Sequence, residues 1–215
     1  MNHILKRKLT AVLATAVIIC GLPFASLAKS KGKDFTKGEL KNDKYVNEYF
    51  GYSIGVPKGY TFYGDKELAE VNEVSETFIK DEEATKNSVD AGANIIVAYA
   101  EGSDGYSNLN IGVSKGDSSI SKIDDVKEIY EESMNEVRKA LESAGFTVEK
   151  TKVMDEKIDG EKTYSLWMKS GIEGIDMYQR QTMIFTDDYI MTITATTIDE
   201  DKTDAMFKEI ERLWS

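Results

Sequence analysis

The chain has 215 residues, 27 Lys plus Arg against 38 Asp plus Glu, and a formal net charge of −11. That acidity argues against nucleic-acid binding, which wants a basic face. The one cysteine, Cys20, and the one histidine, His3, lie at the start of the chain. Once a leader is removed, no disulfide, Cys nucleophile, His base or His/Cys zinc site is left.

Residues 1–28 read as a signal peptide. Lys6, Arg7 and Lys8 form a charged start, Leu9 to Leu22 an apolar run, and Ser26-Leu27-Ala28 a site for cleavage after Ala28. The apolar run is short for a membrane span. Cys20 offers a lipid-anchor alternative, but Ile19 stands where a small residue is expected. The expectation is a secreted or envelope-associated protein with no stable membrane insertion after cleavage.

Residues 29–44 carry six Lys against three acids, contain glycine and lack apolar periodicity, so they read as a basic flexible linker. Such a segment is a solvated spacer, or a loose tether to anionic envelope polymers that salt would screen. Residues 45–215 then form one domain, long enough to rely on a core alone: chains of about 150 residues already bury roughly 70% of their surface.

The domain opens with alternation over 50–56, where Phe50, Tyr52, Ile54 and Val56 share a face. Pro57-Lys58-Gly59 fits a type I turn, and Tyr60 and Phe62 restart the alternation. Asp65 suits the cap of a short helix carrying Leu68 and Val71, and a second helical piece falls near 80–90. Two strands follow, 93–101 and 106–115. Ile123, Val126, Tyr130, Met134, Val137 and Leu141 then recur at helical spacing. Ser121 with Asp124 resembles a capping box, and Gly145-Phe146 is a stop signal for this helix.

Four strand-like runs follow, over 147–158, 162–170, 175–186 and 189–198. Tyr164, Leu166 and Met168 alternate with Ser165, Trp167 and Lys169. Met177, Met183 and Phe185 share one face with Gln179 and Gln181, whereas Asp176, Tyr178, Arg180 and Thr182 share the other. Asp159-Gly160 suits a two-residue hairpin, and the short links favour antiparallel neighbours. A last helix is expected over 200–214. This order defines an α+β domain, an α/β/α sandwich with a mainly antiparallel sheet flanked by helices.

The opening NEYFGYSIGVPKGYTF resembles the PsbP-like family and, more narrowly, small secreted proteins of gut Firmicutes. The matching residues are Pro57, Gly59 and Tyr60; Tyr99 and Ala100; Ala144, Gly145 and Phe146; and Asp199 to Asp201. The resemblance spans about 45–214. It implies the sandwich fold and non-catalytic binding or assembly roles with divergent partners, and it supplies no functional residue.

Candidate chemistry is sparse. Ser119-Ile120-Ser121-Lys122 matches Ser-x-x-Lys, but the companion motifs are missing and Ser before a helix is ordinary capping. The acidic pairs Asp124-Asp125, Asp187-Asp188 and Asp199 with Asp201 fall at expected helix starts or a turn. No stretch has the calcium-loop spacing. Tyrosines on or beside strands are the better lead: core packing, or a surface for a saccharide, peptide or protein. Tyr99, Tyr106, Tyr178 and Arg180 are the residues to follow. The reading is a secreted, non-catalytic binding or accessory domain for an unknown envelope polymer or protein, with no cofactor or metal implied. An envelope chaperone or a carboxylate-dependent hydrolase with opposed Asp/Glu are the alternatives.

Overall fold

The structure, a computed structural model, describes residues 34–116, 123–186 and 188–214. The expected signal peptide, and the Ser119–Lys122 motif with Ser121 of the capping box, lie outside the described residues.

In chain order the elements are β1 (Glu39–Lys41), β2 (Lys44–Asn47), β3 (Tyr52–Ile54), β4 (Tyr60–Phe62), α1 (Asp65–Val71), α2 (Glu76–Lys80), α3 (Glu82–Asp90), β5 (Ile95–Gly102) and β6 (Asn108–Lys115). There follow α4 (Ile123–Ser143), β7 (Thr147–Ile158), β8 (Glu161–Ile172), β9 (Ile175–Phe185), β10 (Tyr189–Ile198), α5 (Thr203–Phe207) and β11 (Ile210–Arg212). The large sheet has the order β4-β5-β6-β10-β9-β8-β7, and a small one the order β1-β2-β3-β11. Every pairing is antiparallel. The chain is an α+β sandwich, as the sequence order implies.

The turn chemistry sets the meander. Asp159 and Gly160 take φ of 48° and 84°, and Glu173 and Gly174 take 53° and 83°. Both pairs therefore supply the positive φ that a two-residue hairpin turn needs to match the strand twist. At the end of α4, Gly145 has φ of 92°, and the Phe146 amide donates back to the Leu141 carbonyl at 3.0 Å. Phe146 then tucks into the core. Ser75 and Asp81 cap α2 and α3, accepting from the amides of Phe78 and Ala84.

Strand alternation sorts the large sheet into two faces. On one, α4 lays Val126, Tyr130, Val137 and Leu141 over Tyr164, Leu166, Met168 and Met183. On the same face α1 sets Leu68 and Ala69 against Ile96 and Tyr99. The small sheet and α5 pack on the other face, with Tyr45, Ile54, Met206 and Phe207 against Leu109, Ile111, Met191 and Ile193. The helix-side faces of β6, β10 and β9 carry a buried polar belt that includes Asn110, Thr194 and Gln179.

Two expectations are corrected. The segment read as a flexible linker is folded from Phe35 onward. The Phe35 ring packs 4.5 Å from that of Tyr189, and the buried Tyr45 hydroxyl donates to the Lys37 carbonyl at 2.6 Å. Asn47 Nδ2 donates to the Thr36 carbonyl at 3.0 Å. Two buried polar side chains thus hold a stretch whose own residues show no apolar pattern.

The last helix stops at Phe207, and Ile210–Arg212 become β11 against β3. The reason is the free backbone of β3: Gly55 donates to the Glu209 carbonyl, and Gly51 accepts from the Leu213 amide, both at 2.9 Å. Those are hydrogen bonds that a continued helix would leave unmade. The expected 50–56 strand is shorter, Tyr52–Ile54, because Phe50 and Gly51 belong to the turn after β2, where Gly51 takes φ of 81° and its amide donates to the Asn47 carbonyl at 2.9 Å.

Candidate binding surface

Register places the four followed residues. The row Leu166–Gln181–Thr194–Asn110–Tyr99 lies on the helix side, and the row Lys152–Trp167–Arg180–Ala195–Leu109–Ala100 on the other. Tyr99 is buried, its ring 4.7 Å from that of Tyr63 under α1. Burial drives its hydroxyl pKa well above the usual tyrosine range. Tyr106 is half-buried against the core beneath α4. Tyr178 and Arg180 lie on the opposite face. The four do not make one surface, and Tyr99 is a core residue.

Arg180 is itself buried. Its guanidinium pairs with Glu156 and Asp204, lies 4.6 Å over the Phe207 ring, and is within 3.4 Å of Ser165 Oγ. It ties β7, β9 and α5 together, so its work is structural. Glu156 is on the buried side of this knot, with its side chain 11% exposed, whereas that of Asp204 is 77% exposed.

Beyond Arg180 the small sheet and α5 end, and the outer face of β7–β9 is open. Trp167 and Tyr178, both half-buried, stand side by side with ring centroids 6.2 Å apart. The indole Nε1 donates to Asp201 Oδ2 at 2.8 Å, and Asp201 Oδ1 accepts from the Thr203 amide and hydroxyl. Burial alone would raise the Asp201 pKa, but the bonds from Thr203 and Trp167 outweigh it and hold the carboxyl below its ordinary value. The indole is therefore fixed in orientation by a charged acceptor.

Two lysines flank the rings, Lys152 at 4.6 Å from the Trp167 centroid and Lys169 at 5.8 Å from that of Tyr178. Lys169 is engaged by Glu149 at 2.7 Å and Asp176 at 3.0 Å, which raise its pKa. Lys152 has no carboxylate partner among the described residues. The arrangement presents two adjacent aromatic faces, one of them anchored, beside a lysine with no carboxylate partner among the described residues. Alternation gave the positions of Trp167 and Tyr178. The anchoring Asp201 sits 34 positions away, in an acidic run that reads only as a helix lead.

Of the acidic pairs, Asp187 and the side chains of Asp124 and Asp125 lie outside the described residues. The Asp104 carboxylate accepts from the Tyr106 amide and from the amide and hydroxyl of Ser107, and so closes its own turn. Among the described residues no group of three or more His, Cys, Asp or Glu is placed to hold a metal ion. None of their helices is long and apolar enough to cross a membrane.

The fold and open face define an α+β sandwich domain with an aromatic surface. Among solved structures, cyanobacterial PsbP (CyanoP) from Synechocystis sp. PCC 6803 is similar to it, with 14% identity over 86% of this chain and 98% of that one and a TM-score of 0.47. A protein from Bacteroides thetaiotaomicron is similar over 75% of this chain and 45% of its own, with 11% identity and a TM-score of 0.35. No family model and no curated protein matches the sequence.

Proposed function

We propose that this chain is a non-catalytic binding domain of the bacterial envelope that holds an anionic glycopolymer on the Trp167–Tyr178 platform. The supporting observation is the pair of adjacent aromatic rings on an unroofed sheet face, one of them locked by Asp201, beside Lys152, which no carboxylate of the described residues pairs. Aromatic faces stack on the C–H faces of sugar rings, and a lysine supplies a point charge for a phosphate or carboxylate on the polymer. The leader-like residues 1–28 supply the reason to look in the envelope.

The test is co-sedimentation with purified cell-wall glycopolymer at low and moderate salt. Trp167→Ala and Tyr178→Ala should each cut binding by tenfold or more, and Lys152→Gln should remove most of the salt dependence. Unchanged binding in both aromatic variants would overturn the proposal.

A further inference from the structure

A hollow lies at the far edge of the large sheet, away from the platform. β4 pairs only with Ala100–Gly102, so Ile95–Ala98 have no strand neighbour on their outer side. Asn72 stands in for one at a single point. Its Oδ1 accepts from the Ile96 amide and its Nδ2 donates to the Ile96 carbonyl, both at 2.8 Å. Lys37–Leu40 cross the rest of the gap, latched from behind by Tyr45.

Between this crossing segment and β5 lies a cavity of about 430 Å³, within the roughly 300–1,000 Å³ of small-molecule sites. Leu68, Ile79, Ile95, Ile96 and Val97 make its wall apolar, and Leu40, 45% exposed, extends the apolar surface beside the opening.

The charges around the cavity are paired with one exception. Glu39 is bridged to Lys41, and Lys80 to Glu76 and Asp65. Lys37 is half-buried, and its ammonium donates to the Ile79 carbonyl. It has no carboxylate partner among the described residues, although acids exceed bases by 11 over the chain. An ammonium has three donors, and a cation against an apolar wall is costly until an anion joins it. One unmatched positive charge beside an apolar hollow calls for one negative charge on an apolar body. A polyphosphate would need several cations, and a neutral lipid would leave Lys37 as it is.

We infer that this cavity binds a small amphipathic monocarboxylate, with its carboxylate on Lys37 Nζ and its hydrocarbon against Leu68, Ile79 and Ile96. The test is calorimetric titration of the folded chain with decanoate and with decanol. Decanoate should bind saturably, one per chain, and decanol at least tenfold more weakly. Lys37→Gln should weaken decanoate about tenfold or more, to the level of decanol, and Lys37→Arg should restore it to within a few-fold. Thermal unfolding of both variants establishes that they are folded, and Arg rescue separates charge from packing. Absence of saturable decanoate binding, equal affinity for decanol, or undiminished affinity in Lys37→Gln would each overturn the inference.

Discussion

Replacing Arg180 by Met puts the knot under α5 to a quantitative test. The guanidinium serves two carboxylates of unequal weight. Asp204, 77% exposed, is a surface partner worth about 0–1 kcal/mol. Glu156, 11% exposed, is left as a carboxylate without its cation, and breaking a buried pair on one side costs about 3–5 kcal/mol. Met loses the guanidinium's stack over the Phe207 ring but puts a thioether there, whose sulfur–aromatic contact is of similar size, so this change adds little. The expected loss is therefore about 3–5 kcal/mol, which at roughly 2–4 °C per kcal/mol for a domain of this size is a clear drop in Tm. The double variant Arg180→Met with Glu156→Gln should regain more than half of that loss, because it removes the stranded charge. Urea unfolding of the two singles and the double measures all three terms. A single variant that loses less than about 1 kcal/mol, or a double no more stable than Arg180→Met, would refute the reasoning.

The other predictions are simpler. Asp90 accepts from Lys115, Lys86 and the Tyr189 hydroxyl, and these partners, Lys115 foremost, hold its carboxyl far below the usual range. Its folded pKa is depressed, so its contribution is full above the unfolded value of about 4 and is lost as pH falls toward the folded one. Asp90→Asn should therefore flatten the acid limb of a stability–pH curve below about pH 4, and an unchanged slope there would contradict the assignment. Asn72→Ala removes both bonds to Ile96, at about 1 kcal/mol each, and should speed exchange of the Ile96 amide; unaltered protection would argue against the clamp. Gly38 has φ of 79°, and a Cβ there would sit 2.6 Å from the Tyr45 hydroxyl. Gly38→Ala should then cost about 1–3 kcal/mol in chemical denaturation, whereas a loose linker would leave the midpoint where it was.

The parts of this fold that read plainly from sequence are those in which local pattern and tertiary demand agree. The four long strands fall where alternation and the Asp159-Gly160 turn put them, and α4 ends at the Gly145-Phe146 stop. The parts that did not read are those fixed by distant partners. Thr36 and Lys37 are held by Asn47 and Tyr45, and β1 after them by β2, with no apolar period of their own. β11 exists because β3 offers unpaired backbone, which outweighs the helical spacing of Met206, Phe207 and Ile210. For the polar belt, alternation sets Gln179 on the face of Met177 and Met183, but only register brings it beside Thr194 and Asn110 under the helices. For the open face, alternation put Tyr178 on one side with Arg180, as register does, but choosing tyrosines by type joined it to Tyr99 and Tyr106 of the helix side. Spacing along the chain gives a side chain's direction within its strand, not which strands stand beside it.

The small sheet joins the two extremes of the folded chain, with β1–β3 supplied first and β11 last. During synthesis its fourth strand emerges only after every other element. Until then Gly51 and Gly55 lack the partners they meet in the finished molecule. A nascent chain therefore cannot complete this layer before β11 has emerged, so the layer closes over the sheet only after the long strands behind it are in place.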